Sequence, residues 1–301
     1  MHSTKALNRD QRIWGVFADK LADYGQLIKF KLNLTVVFSA VMAYLIAYSG
    51  NTNWIGVGVL ALGGFLITGA ANALNQVLER DFDRLMKRTA NRPLAAGRMG
   101  VSEAVLAAGI LCLVGTVFLS MFNAWTGLLG MISMILYAFV YTPMKRISPS
   151  AVAVGAISGA LPLMIGCVAA QGEITNLAIV LFGIQFFWQF PHFWAIAWVG
   201  DEDYKKAGFN LLPGKTGALN SNVGLQAMIY ALFLIPMGVL PLYIGATGWV
   251  SVIVLVLAGL IYSYFGWNLF KKCTREAALT LMFSSFFYLP AVLIVLFFDK
   301  V

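Results

Sequence analysis

Charged residues are scarce in this chain of 301 residues: Asp, Glu, Lys and Arg make up only 11%, where a soluble domain carries about 25%. Apolar residues account for 60% of the sequence, with 22 Phe and 8 Trp. A chain of this size cannot bury so much apolar surface inside one water-soluble core. The shortage of charge therefore excludes a soluble globular enzyme, and the apolar composition excludes a disordered chain.

Cysteine is scarce as well. The three cysteines, Cys112, Cys167 and Cys273, lie far apart in the sequence. They are too few for the dense disulfide framework that stabilises small secreted domains. The composition does not fit a collagen-like fibre either. The remaining class is an integral membrane protein.

The few charges are separated by long uncharged stretches. Charges are costly in hydrocarbon and therefore collect at the ends of membrane spans. Three uncharged stretches, of 47, 41 and 55 residues, can each hold two spans of about 20 residues; they are residues 32–78, 104–144 and 216–270. Single spans fit residues 147–172, 174–200 and 277–298. The sequence predicts an all-α protein with nine transmembrane helices, because an open strand in lipid leaves backbone groups unpaired.

The charges also predict the topology. When loops are assigned alternately to the two sides, one side receives 20 of the 21 basic residues and 11 of the 13 acids. By the positive-inside rule this side is cytoplasmic, which puts the N-terminus in the cytoplasm and the C-terminus on the opposite face. The net charge of +8 follows from this topology and gives no indication of nucleic-acid binding.

Residues 1–31 precede the first span and are interrupted by charges, unlike a signal peptide. Apolar residues recur there at spacings of three and four, at Ile13, Val16, Phe17, Leu21 and Tyr24. This pattern favours an amphipathic cytoplasmic helix lying on the membrane, with a solvated tail as the alternative. We therefore expect an interfacial arm, 1–31, and a single nine-helix domain, 32–301.

A polar cluster lies at the end of the second predicted span. Helical periodicity places five side chains on one face, namely Asn72, Asn75, Gln76, Glu79 and Asp83. Asp81 falls on the opposite side, where we expect it to face solvent or form ion pairs. Amides and carboxylates inside an apolar span are costly unless something compensates them.

A divalent cation would compensate this cluster. Mg²⁺ prefers hard oxygen ligands, takes one or two carboxylates, and completes its shell with water and substrate phosphate. We expect Asn75, Glu79 and Asp83 to hold it, with Asn72 as a further candidate. The alternative is an ordinary helix end with ion pairs such as Glu79 with Lys87.

Basic residues near the cluster are candidates for binding a diphosphate. Arg88 and Arg92 follow it in the chain and could each grip phosphate oxygens through two hydrogen bonds. Lys145 and Arg146 stand in another short cytoplasmic loop and could add further contacts. Their alternative role is to set the membrane topology.

A second polar group follows the sixth predicted span on the same side of the membrane. Asp201, Asp203 and Tyr204 could hold a second cation or position basic residues, although acidic residues also commonly end membrane helices. His192 is the one histidine inside a predicted span. It fits either an interfacial histidine whose ring nitrogens have hydrogen-bond partners or a residue in contact with substrate.

Together these residues resemble the UbiA-type membrane prenyltransferases. The family motif N-x-x-x-D-x-x-x-D stands here as Asn75-x-x-x-Glu79-x-x-x-Asp83, with Glu at the middle position. This departure, together with the segments at 91–94, 141–146, 191–195 and 203–208, is similar to the protohaem IX farnesyltransferase branch of that family. The match extends from about Lys29 to the end of the ninth predicted span.

The resemblance implies nine helices around a central cavity open to lipid, in a bacterial cytoplasmic membrane with the active site on the cytoplasmic side. It implies Mg²⁺-dependent transfer of farnesyl from farnesyl diphosphate to a vinyl group of haem b, with water addition, giving haem O. It further implies that Asn75, Glu79 and Asp83 hold Mg²⁺, that the basic residues neutralise the diphosphate, and that His192 contacts the haem. Haem A synthase and assembly factors of haem–copper oxidases are candidate partners.

Two other functions remain open from the sequence. One is prenyl transfer to a quinone precursor or to chlorophyllide, which differs only in the acceptor. The other is a cation-coupled transporter whose carboxylates relay cations. A transporter is expected to have acids within its spans, whereas here the acids stand at the ends of spans.

Overall fold

The structure is a computed structural model that describes residues 9–214 and 220–301. Within these ranges nine helical segments are long and apolar enough to cross a membrane, which confirms the predicted number. The first four are α2 (Phe30–Ala47), α3 (Trp54–Asp83), α4 (Val101–Ser120), and α5 (Ala124–Ile135) continued by a π-helical turn (Leu136–Tyr141) and α6 (Thr142–Met144). The others are α7 (Ala151–Gln171), α8 (Asn176–Val199), α10 (Ser221–Leu232) joined to α11 (Leu234–Tyr243), α12 (Trp249–Lys272) and α13 (Arg275–Phe298).

The chain turns at a break near the middle of each of the three long uncharged stretches. Asn53 caps α3 by accepting a hydrogen bond from Gly56 N, and Asn123 caps α5 in the same way from Thr126 N. Asparagine suits this position because its side chain satisfies a backbone N–H at the start of a helix. The third break contains Gly245 with a φ of 71°, a conformation that glycine adopts without strain.

Helix α7 is the most buried span and packs against α2 and α8. A Cβ atom at Gly166 would collide with Ala40 O on α2, and one at Gly159 would collide with the Gln189 side chain on α8. Small residues let membrane helices approach closely. The glycines of α7 therefore allow the close packing of this span against its neighbours.

The arm is helical in the part that the structure describes, as α1 (Arg9–Leu27). Phe17 and Leu21 are more than 60% exposed and stand one turn apart, while the side chains of Ile13 and Val16 lie outside the description. Salt bridges join α1 to the remainder of the protein, from Lys20 to Glu103 and from Asp23 to Arg98. The predicted helix is confirmed, and its contact with the membrane surface stays a prediction.

An apolar cavity of about 710 Å³ lies between α1, α2, α3 and α4. Phe30, Leu106 and Ile110 line it and are each at least half exposed, so the cavity opens on the side of the helices that faces lipid. Its polar lining residues, Tyr24 and Glu103, hydrogen-bond to each other.

The last residues of the chain contact the first span. Lys300 Nζ donates hydrogen bonds to Leu45 O at 2.7 Å and to Tyr48 O at 3.2 Å, where α2 ends. Asp299 accepts a hydrogen bond from Ser251 N at the start of α12. Both side chains satisfy backbone groups that a helix end leaves unpaired.

Candidate active site

The polar face at the end of α3 is buried. Asn75, Glu79 and Asp83 are each at most 4% exposed. The Asp81 side chain, on the opposite face, is 63% exposed and forms ion pairs with Arg80 and Arg84. Both faces agree with the helical periodicity of the sequence. The buried carboxylates lie at the end of a span 30 residues long.

Glu79 is paired with Lys145, which belongs to the loop after α6. Lys145 Nζ lies 2.8 Å from Glu79 Oε1, and both side chains are nearly buried. Burial alone lowers the pKa of Lys145, but the adjacent Glu79 carboxylate, together with Tyr137 and Tyr204, raises that pKa above its usual value. Glu79 therefore pairs with a lysine from another span, and not with Lys87 through the adjoining turn.

Asp83 is paired with Arg92, which lies in the loop between α3 and α4. Arg92 Nη1 donates to both carboxylate oxygens of Asp83, at 2.9 and 2.7 Å. Thr89 Oγ1 donates to the backbone oxygen of Asp83, which fixes the turn that returns Arg92 to the helix end. Each carboxylate of the cluster thus has its own cation.

A third cation, Lys29, reaches the same cluster from the connection between α1 and α2. Its Nζ donates to Asn75 Oδ1 at 2.8 Å and to Tyr137 Oη at 3.4 Å. Burial, reinforced by the charges of Arg92 and Lys145, lowers the pKa of Lys29 to about 7. Sequence reasoning did not single out Lys29, because the left-handed backbone (φ 50°) that turns it inward has no signal in the sequence.

Asn72 and Gln76 serve the fold on the same helix. Asn72 Nδ2 donates to Ile28 O at 3.2 Å, and Gln76 Nε2 donates to Gln26 O and Leu27 O at 2.7 and 2.9 Å. These carbonyls belong to the break after α1, where a helix end leaves acceptors unpaired. The Asn72 amide nitrogen thus serves the fold, and the role of its oxygen as a further metal ligand stays a prediction. Periodicity gives the face of a helix but not the element that the face contacts.

The second polar group lies on α9 (Asp201–Lys206) and is linked to the first through Arg88. Arg88 Nη2 donates to Tyr204 Oη at 2.9 Å, and the guanidinium lies 5.5 Å from the ring centre. The two acids pair with lysines of their own helix, Asp201 with Lys205 and Asp203 with Lys206. In the described ranges no three His, Cys, Asp or Glu side chains cluster as a metal site. A second cation site on α9 therefore has no support in the geometry.

Two further candidate residues lie apart from the cluster. The Arg146 guanidinium stacks on the ring of Phe82, 4.2 Å from its centre, beside the polar face of α3. His192 contacts Ser285 on α13, within the membrane-spanning part of α8. The structure thus gathers Asn75, Glu79, Asp83, Arg92 and Lys145 around one point, adds Lys29, and places His192 elsewhere.

The fold and this cluster can now be compared with known proteins. The profile of the UbiA prenyltransferase family matches residues 36–289. The chain belongs to this family. A protoheme IX farnesyltransferase of Cytophaga hutchinsonii is 45% identical to it over 285 residues, covering 94% of this chain and 99% of that relative. The chain is accordingly a prenyltransferase, and the transporter alternative is set aside.

Solved UbiA structures share the fold. A digeranylgeranylglyceryl phosphate synthase superposes with a TM-score of 0.79 at 19% identity, covering 93% of this chain and 98% of that one. A UbiA homologue from Archaeoglobus fulgidus, bound to DMAPP and Mg²⁺, superposes with a TM-score of 0.70 at 16% identity, covering 89% and 99%. The predicted all-α UbiA-like membrane fold is confirmed.

Proposed function

We propose that this prenyltransferase transfers the farnesyl group of farnesyl diphosphate to a vinyl group of haem b, and that water addition then gives haem O. The observation that carries the proposal is the buried cluster in which Lys29, Arg92 and Lys145 surround the Asn75–Glu79–Asp83 face. The cluster suits a diphosphate with a divalent cation. The choice of acceptor is supported by the protoheme IX farnesyltransferase to which the chain is similar.

The residues of the α3 face fit Mg²⁺. Glu79 and Asp83 supply carboxylate oxygens and Asn75 supplies an amide oxygen, all within two helical turns. Mg²⁺ needs only one or two protein carboxylates, because water and substrate phosphate complete its shell. When bound, the cation would supply positive charge to a departing diphosphate. Asn75, Glu79 and Asp83 are the residues that would hold it.

The three cations have a second partner available once substrate is present. Lys145 pairs with Glu79, and Arg92 pairs with Asp83. A diphosphate at the cluster gives these cations new oxygen partners, and Lys29 adds a third charge. As the allylic C–O bond breaks, the bonding electrons stay on the diphosphate. Positive groups already in place stabilise this developing charge.

The remaining steps take place on the two substrates. The vinyl group attacks C1 of the farnesyl cation, forming a C–C bond and leaving a cation on the carbon next to the porphyrin ring. Water adds to that carbon and loses a proton, which gives the hydroxyethylfarnesyl group. The apolar spans keep water away from the allylic cation before the vinyl group reacts.

We place the site on the cytoplasmic side of a bacterial inner membrane, with the N-terminus inside and the C-terminus in the periplasm. The distribution of basic residues supports this topology. Haem A synthase and haem–copper oxidase assembly factors stay candidate partners, because they would receive the product, haem O. The arm and the nine-helix domain stay the proposed division of the chain.

The test is a reaction of the purified protein with haem b, farnesyl diphosphate and Mg²⁺, analysed by liquid chromatography and mass spectrometry. We expect haem b to gain the mass of one farnesyl group plus one hydroxyl group. A quinone precursor and chlorophyllide, offered as competing acceptors, should stay unmodified. Prenylation of either competitor without haem O would overturn the choice of acceptor and leave the prenyltransferase activity standing.

A further inference from the structure

An ion pair lies at one end of the apolar cavity between α1, α2, α3 and α4. Lys20 Nζ on α1 donates to both carboxylate oxygens of Glu103 on α4, at 2.8 and 3.1 Å. Tyr24 Oη, one turn after Lys20, donates to Glu103 Oε1 at 3.0 Å. Glu103 and Tyr24 both line the cavity, and its other lining residues are apolar. The cavity thus combines apolar walls with a charged end.

The charged end lies where a membrane span begins. Glu103 is in the first turn of α4, and the lining residues of this helix continue to Leu111. The distance along the helix axis between these two residues is about 12 Å, which is most of one hydrocarbon leaflet of about 15 Å. The cavity therefore begins at the level expected for lipid headgroups and extends to the level of the acyl chains.

The walls of the cavity favour hydrocarbon as its filling. Phe30, Leu106 and Ile110 line it and are exposed on the side of the helices that faces lipid. An empty space beside these side chains forfeits the dispersion contacts that neighbouring atoms provide, and apolar walls do not hold water. An acyl chain of the surrounding bilayer matches both the chemistry of the walls and the depth of the cavity.

The ion pair favours one kind of lipid headgroup. The Lys20 and Glu103 side chains are 44% and 33% exposed, so both charges are accessible from outside the protein. Asp23, on the same helix as Lys20, is neutralised by Arg98 in an ion pair of its own. These four side chains together have no net charge, which favours a zwitterionic headgroup over an anionic one. A lipid ammonium beside Glu103 and a lipid phosphate beside Lys20 place opposite charges next to each other.

We propose that this cavity is a binding site for phosphatidylethanolamine, with an acyl chain between α1 and α4, the lipid ammonium on Glu103 and the lipid phosphate on Lys20. A primary ammonium has three N–H donors, as a lysine side chain has. The quaternary ammonium of phosphatidylcholine has the same charge but no donor, and phosphatidylglycerol has no ammonium. The lipid site shares no residue with the diphosphate cluster and does not depend on the acceptor of the prenyl group.

The test is lipid binding to the full-length protein in one detergent, measured by native mass spectrometry. The three phospholipids have identical acyl chains, so that only the headgroup differs. We expect the wild type to bind its first phosphatidylethanolamine about tenfold tighter than either other lipid, because only this headgroup donates a charge-assisted hydrogen bond to Glu103. Equal affinity for phosphatidylethanolamine and phosphatidylcholine would overturn the proposal.

A matched pair of acidic residues tests the position of the ammonium. Glu103 and Glu276 each lie in the first turn of a span, and of the two Glu103 lines the cavity. Glu103→Gln should abolish the preference for phosphatidylethanolamine over phosphatidylcholine, whereas Glu276→Gln should retain it. Glu103→Gln also leaves Lys20 without its carboxylate, so its affinity for phosphatidylglycerol should rise. A preference that survives in Glu103→Gln would overturn the assignment of the ammonium.

A matched pair of glycines on α1 tests the position of the acyl chain. A Cβ atom at Gly25 or at Gly15 would contact no atom of the described chain within 4 Å, and of the two Gly25 lines the cavity. Gly25→Leu should weaken the binding of all three phospholipids, because the leucine side chain takes up space that the acyl chain needs. Gly15→Leu should leave binding unchanged. Leucine has a higher helix propensity than glycine, so neither substitution opposes the fold of α1.

Affinity for farnesyl diphosphate, measured on each variant, shows whether the remainder of the protein is folded. None of the substituted residues belongs to the cluster that is proposed to bind diphosphate. Undiminished lipid binding in Gly25→Leu would place the lipid outside the cavity and overturn the proposal. If Glu103→Gln does not fold, the comparison of the three phospholipids on the wild type still decides whether the headgroup is recognised.

Discussion

Lys145 and Glu79 form an ion pair between two different spans, with 2.8 Å between Nζ and Oε1 and little exposure of either side chain. The pair joins the end of α3 to the loop after α6. Removing one partner leaves a buried charge uncompensated, which is more costly than losing the pair itself. The same two residues are proposed to serve substrate binding. Variants of the pair can therefore show which effects come from lost stability and which from lost substrate binding.

Lys145→Met should destabilise the protein by about 3–5 kcal/mol, because Glu79 stays buried without a partner. The double variant Lys145→Met with Glu79→Gln should regain much of that stability and none of the farnesyl transfer. Unfolding in detergent followed by circular dichroism gives the stability. A double variant as unstable as Lys145→Met alone would contradict the assignment of the pair.

Asp83→Ala should lower farnesyl transfer by at least about 100-fold, as is usual when a group that stabilises developing charge is removed. Asp81→Ala should keep most of the activity, since Asp81 is exposed and its pairs with Arg80 and Arg84 contribute about 0–1 kcal/mol. Initial rates at saturating Mg²⁺ provide the comparison. Equal losses in the two variants would contradict the buried and exposed faces of α3.

Removal of divalent cations with EDTA should weaken the binding of farnesyl diphosphate to the wild type. The reason is that without a divalent cation the diphosphate competes with Glu79 and Asp83 for the same basic residues, Lys145 and Arg92. Calorimetry with and without Mg²⁺ measures the difference. The Asp83→Asn variant should show a smaller response to EDTA, and an undiminished response would exclude Asp83 from the ligand set.

Gln76→Leu should affect stability and not metal dependence. The substitution leaves Gln26 O and Leu27 O without their hydrogen-bond donor, at a cost of about 1–3 kcal/mol. The folded fraction of Gln76→Leu should therefore need the same Mg²⁺ concentration for half-maximal activity as the wild type. A marked increase in that concentration would contradict a purely structural role for Gln76.

The lowered pKa of Lys29 predicts that stability depends on pH in the protein from which EDTA has removed metal ions. Its pKa is lowered by burial from 10.5 to about 7, so between these values the unfolded chain binds the additional proton. Stability should therefore rise with pH from about 7 to about 10.5. Lys29→Met should flatten this rise, and Lys31→Met, at an exposed position, should retain it. Parallel curves for all three proteins would contradict the lowered pKa of Lys29.

The sequence predicted the spans because their determinants are local. Uncharged length and the breaks at Asn53, Asn123 and Gly245 are visible residue by residue, and so is the periodicity that separates Asp83 from Asp81. The candidate site was predicted in part. Its carboxylates and Lys145 could be named from residue types, whereas the pairing of Glu79 with Lys145 depends on how distant spans pack.

Lys29 and Asn72 show why the remainder was not predicted. Both lie next to the break between α1 and α2. At this break the left-handed backbone of Lys29 turns the lysine side chain inward, and an unpaired backbone carbonyl accepts a hydrogen bond from Asn72. Helical periodicity predicts neither the positive φ of a lysine nor the hydrogen-bond partner of an unpaired carbonyl. The hydrogen bond from Arg88 to Tyr204 is likewise a contact between residues far apart in sequence.

The Lys300 hydrogen bonds lie at the opposite end of α2 from the buried polar cluster. Helix α2 has 18 residues and is about 27 Å long, with Lys29 directly before its first turn and the Lys300 contacts at its other end. The first span therefore has a contact with the cluster at one end and a contact with the last residues at the other, about one hydrocarbon thickness apart.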